Sequence, residues 1–281
     1  MKIKLFIFSI ALTCLFTAVK AQSYVVATFN LRYDNASDTG NLWINRAPVV
    51  SELIRFHDFD VFGTQEGYKS QLDDIHTALP EYDYYGLGRD DGVNNGEHSA
   101  IFYKKDRFKL LAKGDFWLSE TPEKPSLGWD ATCCKRICSW VYLQDKSSPG
   151  HKFYVFNAHY DHKGVIAREE SSKLILKKIQ AIAGKNPVIL TGDLNGDHNS
   201  TWYQRIATSG TLTDTYKQAA HPYVNNTSFN NFGKALKGSS IIDHIFTTPG
   251  FKVERWGVLT DSYHGKYPSD HFPVMTKLTF K

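Results

Sequence analysis

Ten apolar runs rich in Val, Ile, Phe and Tyr recur along this chain, and six short polar strings sit at or near the ends of such runs. The runs are Tyr24–Phe29, Val61–Thr64, Ala100–Tyr103, Phe108–Leu118, Ile137–Leu143, Phe153–Ala158, Val188–Leu190, Ile241–Phe246, Val253–Leu259 and Phe272–Leu278. Runs of this length and composition predict buried or half-buried strands. Three helical stretches interrupt them. Asn45 is placed to cap the first, with Pro48 in its first turn and Val49, Val50, Leu53 and Ile54 on its apolar stripe. The second runs from about Tyr68 to Leu79. The third spans Val165 to Ala183, with Gly184 as its C-cap. Strands outnumber helices and both are spread along the chain, which favours two packed, mostly antiparallel sheets with helices outside over a βαβ alternation. No repeat, low-complexity tract or Pro/Gly/Ser linker divides the chain after its first residues, so one domain over 22–281 is expected.

The first residues read as a secretory signal. Lys2 and Lys4 precede an apolar run from Leu5 to Val19, and a small residue, Ala21, precedes the expected cut before Gln22. That run is too short for a stable membrane anchor, and Cys14 lies inside it rather than at a lipoprotein cleavage site. The mature protein is therefore expected in the periplasm or outside the cell. Loss of residues 1–21 removes Lys2, Lys4 and Lys20 and no acid, leaving thirty basic against twenty-nine acidic residues. A nearly neutral chain lacks the footprint of a tight non-specific nucleic-acid binder. Cys133, Cys134 and Cys138 remain, an odd set in which Cys134–Cys138 is one possible bridge. Nothing in the sequence indicates an oligomer, and a monomer is expected.

Six polar strings carry the chemistry: Thr28-Phe29-Asn30, Gln65-Glu66-Gly67, Asn157-Ala158-His159, Gly192-Asp193-Leu194-Asn195, Ile242-Asp243-His244 and Ser269-Asp270-His271. Strand ends at one edge of a sheet can converge on one cleft, and a cleft holding Glu66, Asp193, Asp243 and Asp270 is strongly anionic. Two like charges ~4 Å apart repel by about 4 kcal/mol at an effective dielectric of ~20. Such a cluster traps protons or holds a divalent cation, and oxygen donors without cysteine suit Mg²⁺, with Mn²⁺ as a substitute, before Zn²⁺. Asp193 and Asn195, two apart, point the same way if their strand persists; an Asx-turn after the strand is the structural alternative. Asp270 and His271 are adjacent, so their side chains diverge. Asp243 is expected to hold a histidine charged and oriented, and Glu97 to do so for His159.

In its joint order the set resembles the endonuclease/exonuclease/phosphatase superfamily, which includes DNase I-type nucleases, neutral sphingomyelinases, inositol-polyphosphate phosphatases and deadenylases. The resemblance runs from Asn30 to His271, and the stretches Asn157–His162 and Tyr267–Val274 are similar to a secreted bacterial branch. It implies a four-layer α/β sandwich of the DNase I-like type. It also implies Glu66 as the main Mg²⁺ ligand, Asn30 beside it and Asp270 as a further ligand. Asp193 then orients or deprotonates the attacking water and Asn195 binds phosphate. His271, paired with Asp243, and His159, supported by Glu97, contact phosphate, and Arg136 adds a basic contact. The resemblance leaves open whether Asp193 or His271 is the base.

The expected activity is that of a secreted Mg²⁺-dependent phosphoesterase, with a phosphodiester first and a phosphomonoester of sugar or inositol second. A non-catalytic phosphate-ligand-binding protein on the same scaffold is the alternative from another class. Nucleic acid, a phospholipid head group and a phosphorylated sugar are the substrate classes to separate. Segments 34–42, 119–136 and 262–267 are expected to rim the cleft, and Trp43 and Trp129 either stack on substrate or pack in the core.

Overall fold

Side chains alternate along the first strand, Tyr24 and Val26 packing into one apolar cluster and Ala27 and Phe29 into another. That period of two makes a sheet with two buried faces. The structure, a computed structural model, describes residues 22–223 and 226–281. The expected signal, with Cys14, lies outside the described residues. None of the described helices is long and apolar enough to cross a membrane.

The elements follow in the order β1 (Ser23–Asn30), α1 (Trp43–Phe56), β2 (Val61–Gln65), α2 (Lys69–Ala78), β3 (Tyr82–Tyr85), β4 (Ile101–Lys104), β5 (Phe108–Trp117), β6 (Ile137–Asp145) and β7 (Lys152–His159). Then come α3 (Val165–Ala183), β8 (Val188–Asp193), α4 (Thr201–Ala207), β9 (Thr213–Asp214), α5 (Thr215–Gln218), β10 (His221–Tyr223), β11 (Asp243–Thr247), β12 (Phe251–Val258) and β13 (Val274–Phe280). A seven-stranded sheet has the order β10-β12-β13-β1-β2-β4-β3, and a six-stranded sheet the order β5-β6-β7-β8-β11-β9. The inner core joins Val26, Val61 and Val274 of the first sheet to Val155, Ile189 and Ile245 of the second. Helices α1 and α2 cover the outer face of the first sheet through Val50, Ile54, Leu72 and Ile75. Helices α3 and α4 cover the second through Ile175, Ile179, Tyr203 and Ile206. The result is the four-layer sandwich expected.

The pairing explains why the polar strings converge. β1 and β2 run parallel, as do β7 and β8, so Asn30 and Gln65 end together in one sheet and His159 and Asp193 end together in the other. β11 is antiparallel to β8 with Asp243 opposite Asp193, and β13 is antiparallel to β1. The starts of β11 and β13 therefore lie at the same edge as the ends of β1, β2, β7 and β8. Below that edge the inner layer turns polar. Asn157 Nδ2 donates to the carbonyls of Thr64 (2.8 Å) and Ala100 (2.9 Å), and its Oδ1 accepts from Gln65 Nε2 (2.7 Å) and Thr191 Oγ1 (3.0 Å). Gly63 makes room for this layer: a Cβ there would sit 2.4 Å from Asn157 Oδ1.

Several expectations change in detail. Helix α1 begins at Trp43, and Asn45 lies inside it rather than capping it, because Leu42 O already accepts from the backbone N–H of Asn45 and Arg46. The first residues of two expected strands, Ile241 and Phe272, precede β11 and β13; Phe272 N–H bonds instead to Ser228 O. Strand β3, the two short strands β9 and β10, and helices α4 and α5 are additions. Cys134–Cys138 is not the bridge. Cys133 bonds to Cys134, while Cys138, inside β6, turns into the cluster beneath α3 and is a buried thiol.

Candidate active site

A cavity of about 850 Å³ opens at the convergent edge. Glu66, Glu97, Arg136, His159, Asp193, Asn195, Asp270 and His271 line it, and Asn30 and Asp243 lie directly behind. The structure thus brings together all the candidate residues read from the sequence. Trp43 is instead a core residue whose Nε1 donates to Asp74. Trp129 and the segment 262–267 do not line the cavity. Segments 34–42 and 119–136 do, joined by Phe229, Asn231, Phe232 and Lys234 as an unexpected wall.

On one side stands an acid–histidine chain. His271 Nδ1 lies 2.9 Å from Asp243 Oδ2, and His271 Nε2 lies 3.8 Å from Asp193 Oδ2. Burial works against charge on His271, but Asp243, Asp193 and Asp270 outweigh it and raise its pKa well above the usual value. The acids around His271 therefore favour its protonated form. Burial and then Asp243 push the Asp193 carboxyl up to about 7, against the pull of His271.

His159 behaves differently. Burial, with Arg136 and Arg89 nearby, lowers its pKa well below the ordinary value, so the ring is neutral. Glu97 was expected to hold it charged; the distance to His159 Nδ1 is 3.8 Å, and Glu97 is instead salt-bridged to Arg89. The Glu97 carboxyl is itself pushed up to about 7 by burial. Strand β8 stops at Asp193, and Asn195 turns into the left-handed region (φ 46°) as its N–H donates to Asp193 Oδ1 (2.8 Å). The Asx-turn replaces the continued strand. Asn195 Nδ2 donates to Tyr160 O (3.0 Å) and faces His159 Nε2 (3.2 Å), so as arranged it orients His159.

On the other side lie Glu66, Asn30 and Asp270. Glu66 also has a left-handed backbone (φ 65°), which turns its carboxylate out of the strand into the cavity. Asn30 Nδ2 donates to Glu66 Oε1 (3.1 Å) and to Asp193 Oδ2 (3.0 Å), tying the two halves of the site together, while its Oδ1 accepts from Arg32 N–H (3.0 Å). Burial, and repulsion from Glu66, raise the pKa of Asp270. Glu66 and Asp270 share one cation, the Arg32 guanidinium, 3.9 Å from each and itself hydrogen-bonded to Asp38. Two buried or half-buried acids at the cavity wall, offering only oxygen donors, fit a hard divalent cation.

Besides Arg32, two further arginines were not singled out in the sequence. Arg46 is fully buried in α1 and donates to the carbonyls of Leu31 (2.7 Å), Arg32 (3.1 Å), Asn41 (2.8 Å) and Pro268 (2.9 Å). It holds the loop after β1 against the loop that carries Asp270. Arg89 pairs with Glu97 beside His159. Neither lies at a strand end, so the polar-string pattern does not reach them. Arg136 is buried, its Nη2 donates to His162 Nδ1 (3.0 Å), and its Nη1 has no hydrogen-bond partner.

Comparison with known proteins identifies the family and the fold. Residues 27–271 match the family described as Endonuclease/Exonuclease/phosphatase family. A solved endonuclease/exonuclease/phosphatase family protein from Bacteroides thetaiotaomicron is 47% identical with a TM-score of 0.90, covering 93% of this chain and 99% of that one. A mannosyl-6-phosphatase of the same organism is 47% identical with a TM-score of 0.89, covering 92% of this chain and 100% of that one. An uncharacterized protein of Acanthamoeba polyphaga mimivirus is 29% identical over 262 residues, 83% of this chain and 91% of the viral protein.

Proposed function

The chain belongs to the endonuclease/exonuclease/phosphatase family of phosphoesterases, and on that premise we propose that it is a Mg²⁺-dependent phosphomonoesterase releasing inorganic phosphate from a phosphorylated sugar. One observation carries the reading: the site is a cavity of small-molecule size with fixed cations in its walls. Four cationic side chains (Arg32, Arg89, Arg136 and Lys234) face five acids (Asp38, Glu66, Glu97, Asp193 and Asp270). With a divalent ion bound, the fixed cations of this wall suit an anion of two charges, which a monoester carries and a diester does not. The likeness to a mannosyl-6-phosphatase supports the same choice. The sequence alone favoured a diester; cavity shape and charge move the reading to the monoester.

Glu66 and Asp270 would hold the cation, with Asn30 fixing Glu66. When bound, the ion supplies positive charge to the phosphoryl and leaving oxygens. Asp193, with its pKa near neutrality, accepts the proton of the attacking water, a match that favours general-base catalysis at neutral pH. His271, whose protonated form Asp243, Asp193 and Asp270 favour, donates toward phosphoryl oxygens from Nε2. Arg136, in the cavity wall, adds fixed positive charge. Asn30 and Asn195 set the positions of Asp193 and His159, so the site works by alignment and charge placement.

The test is phosphate release from mannose 6-phosphate, from a nitrophenyl monophosphate and from the bis-nitrophenyl diester, with Mg²⁺ and with EDTA. EDTA-sensitive turnover of the two monoesters, at rates well above the diester, is expected. Faster cleavage of the diester would overturn the monoester reading in favour of a phosphodiesterase.

A further inference from the structure

The mechanism above leaves one wall of the cavity unused. Cys133 and Cys134, bonded to each other, line it beside His162 and Arg136. A disulfide between chain neighbours closes a small ring through the intervening peptide. That ring is stiff, and the surface it adds is sulfur and methylene rather than hydrogen-bonding groups.

The segment that carries it is pinned on several sides. The Asp130 carboxylate accepts from the N–H groups of Ile166 (3.1 Å) and Ala167 (2.6 Å) at the start of α3. Glu120 accepts from Trp129 N–H (2.9 Å), Lys135 Nζ donates to Asp90 O (2.7 Å), and Leu118 N–H donates to Arg136 O (2.8 Å). The sulfur wall is therefore presented at a fixed place.

His162 adds a directed polar group. The Cys133 sulfur, a carboxylate oxygen of Asp161 and a ring nitrogen of His162 lie within 4.8 Å of one another. His162 Nδ1 accepts from Arg136 Nη2 (3.0 Å), which fixes the tautomer with hydrogen on Nε2. Burial and Arg136 lower the His162 pKa, so the ring stays neutral. A rigid apolar face next to a fixed N–H donor is complementary to a pyranose, which presents a face of C–H groups and a rim of hydroxyl oxygens.

We propose that the Cys133–Cys134 disulfide and His162 form the subsite that seats the sugar ring of the substrate, the disulfide against its C–H face and His162 Nε2–H on a hydroxyl oxygen. This inference rests on the phosphosugar reading above. It makes these residues determinants of substrate choice, acting outside the phosphate chemistry.

The experiment compares mannose 6-phosphate with glycerol 2-phosphate, an ester without a ring, in wild type, in the double variant Cys133→Ser/Cys134→Ser and in His162→Ala. The ratio of kcat/KM for the sugar ester to kcat/KM for the glycerol ester should fall about tenfold in each variant, mainly through KM, the scale expected for one lost pocket contact. Wild type under a thiol reductant should move toward the double variant. His162→Ala keeps the disulfide, so the subsite is tested even where the double variant does not fold. Equal losses on both esters, or an unchanged ratio, would overturn the subsite while leaving phosphosugar turnover by wild type intact. Wild type that hydrolyses glycerol 2-phosphate but no sugar phosphate would overturn the phosphosugar reading and the subsite with it.

Discussion

Three acids around its buried ring favour a charged His271, and Asp243 is the nearest, 2.9 Å from Nδ1. Removing that acid leaves a buried ring with weaker reason to hold its proton. Asp243→Asn is therefore expected to lower kcat/KM roughly 100-fold, near the ~3 kcal/mol cost of losing one transition-state donor, and to change the shape of the pH–rate profile. His271→Ala should lose as much rate without a pH-dependent recovery. Kinetics from pH 5 to pH 9 on a nitrophenyl monophosphate, with circular dichroism to confirm folding, check both. A folded Asp243→Asn enzyme with wild-type activity across that range would contradict the assignment. At this scale the sequence disclosed which residues belong to the site, since Asp243 and Asp270-His271 end polar strings. A charged His271 was expected from its pairing with Asp243, whereas the lowered pKa of His159 was not legible. Both shifts depend on burial and on neighbours that come from distant parts of the chain.

At the scale of elements, the polar strings divide their labour. Asn157, Gln65, Thr28 and Thr191 do not line the cavity; they form the hydrogen-bonded layer between the sheets beneath it, and Glu66, His159 and Asp193 project beyond. Period-two alternation places Asn157 and His159 on the same face of β7, yet one is inter-sheet structure and the other reaches the cavity, because the strand ends between the layer and the open edge. Asn157→Ala would remove the amide that donates to Thr64 O and Ala100 O and accepts from Gln65 Nε2 and Thr191 Oγ1, opening a polar gap in a buried layer. A loss of about 3 kcal/mol of unfolding free energy is expected, from the cost of unsatisfied buried polar groups, and urea unfolding measures it. A loss below about 1 kcal/mol, the ordinary net worth of one hydrogen bond, would contradict this account. Helix α3 was legible to its last residue, since its apolar spacing and Gly184 (φ 59°) mark a boundary locally. The start of α1 was not, because a backbone bond to Leu42 rather than a side-chain cap sets it.

For the molecule as a whole, the far edge of the six-stranded sheet is closed by Asp214. Its Oδ2 accepts from Tyr203 of α4 (2.8 Å) and lies 3.4 Å from His198 Nε2 and 3.6 Å from His244 Nδ1 of β11, while its Oδ1 caps α5 through Tyr216 N–H (2.8 Å). Burial alone would raise its pKa, but the two histidines and the backbone hold the carboxyl below the usual carboxylate range. An acid depressed by folding contributes stability above its unfolded pKa of ~3.9, and that contribution is lost as pH falls through the folded value. Asp214→Asn should thus cost about 3 kcal/mol at pH 5 to 6, the scale of breaking a buried charge pair. The difference from wild type should shrink below pH ~4, as urea unfolding at a series of pH values would read. A difference constant down to pH ~3 would show that charge is not what Asp214 contributes. Alternation of apolar residues and the order of the polar strings, both local properties, were enough to determine two sheets with helices outside, one convergent edge and an oxygen-rich set of acids. Tertiary structure alone decided that Cys138 is buried beneath α3 and kept from pairing, that Arg46 clamps the loop of Asp270 across 222 residues of chain, and that Glu66 reaches the cavity through a left-handed turn. Those features depend on contacts between residues far apart in the chain and on backbone angles that residue type does not dictate, so they exist only once the sheets have packed.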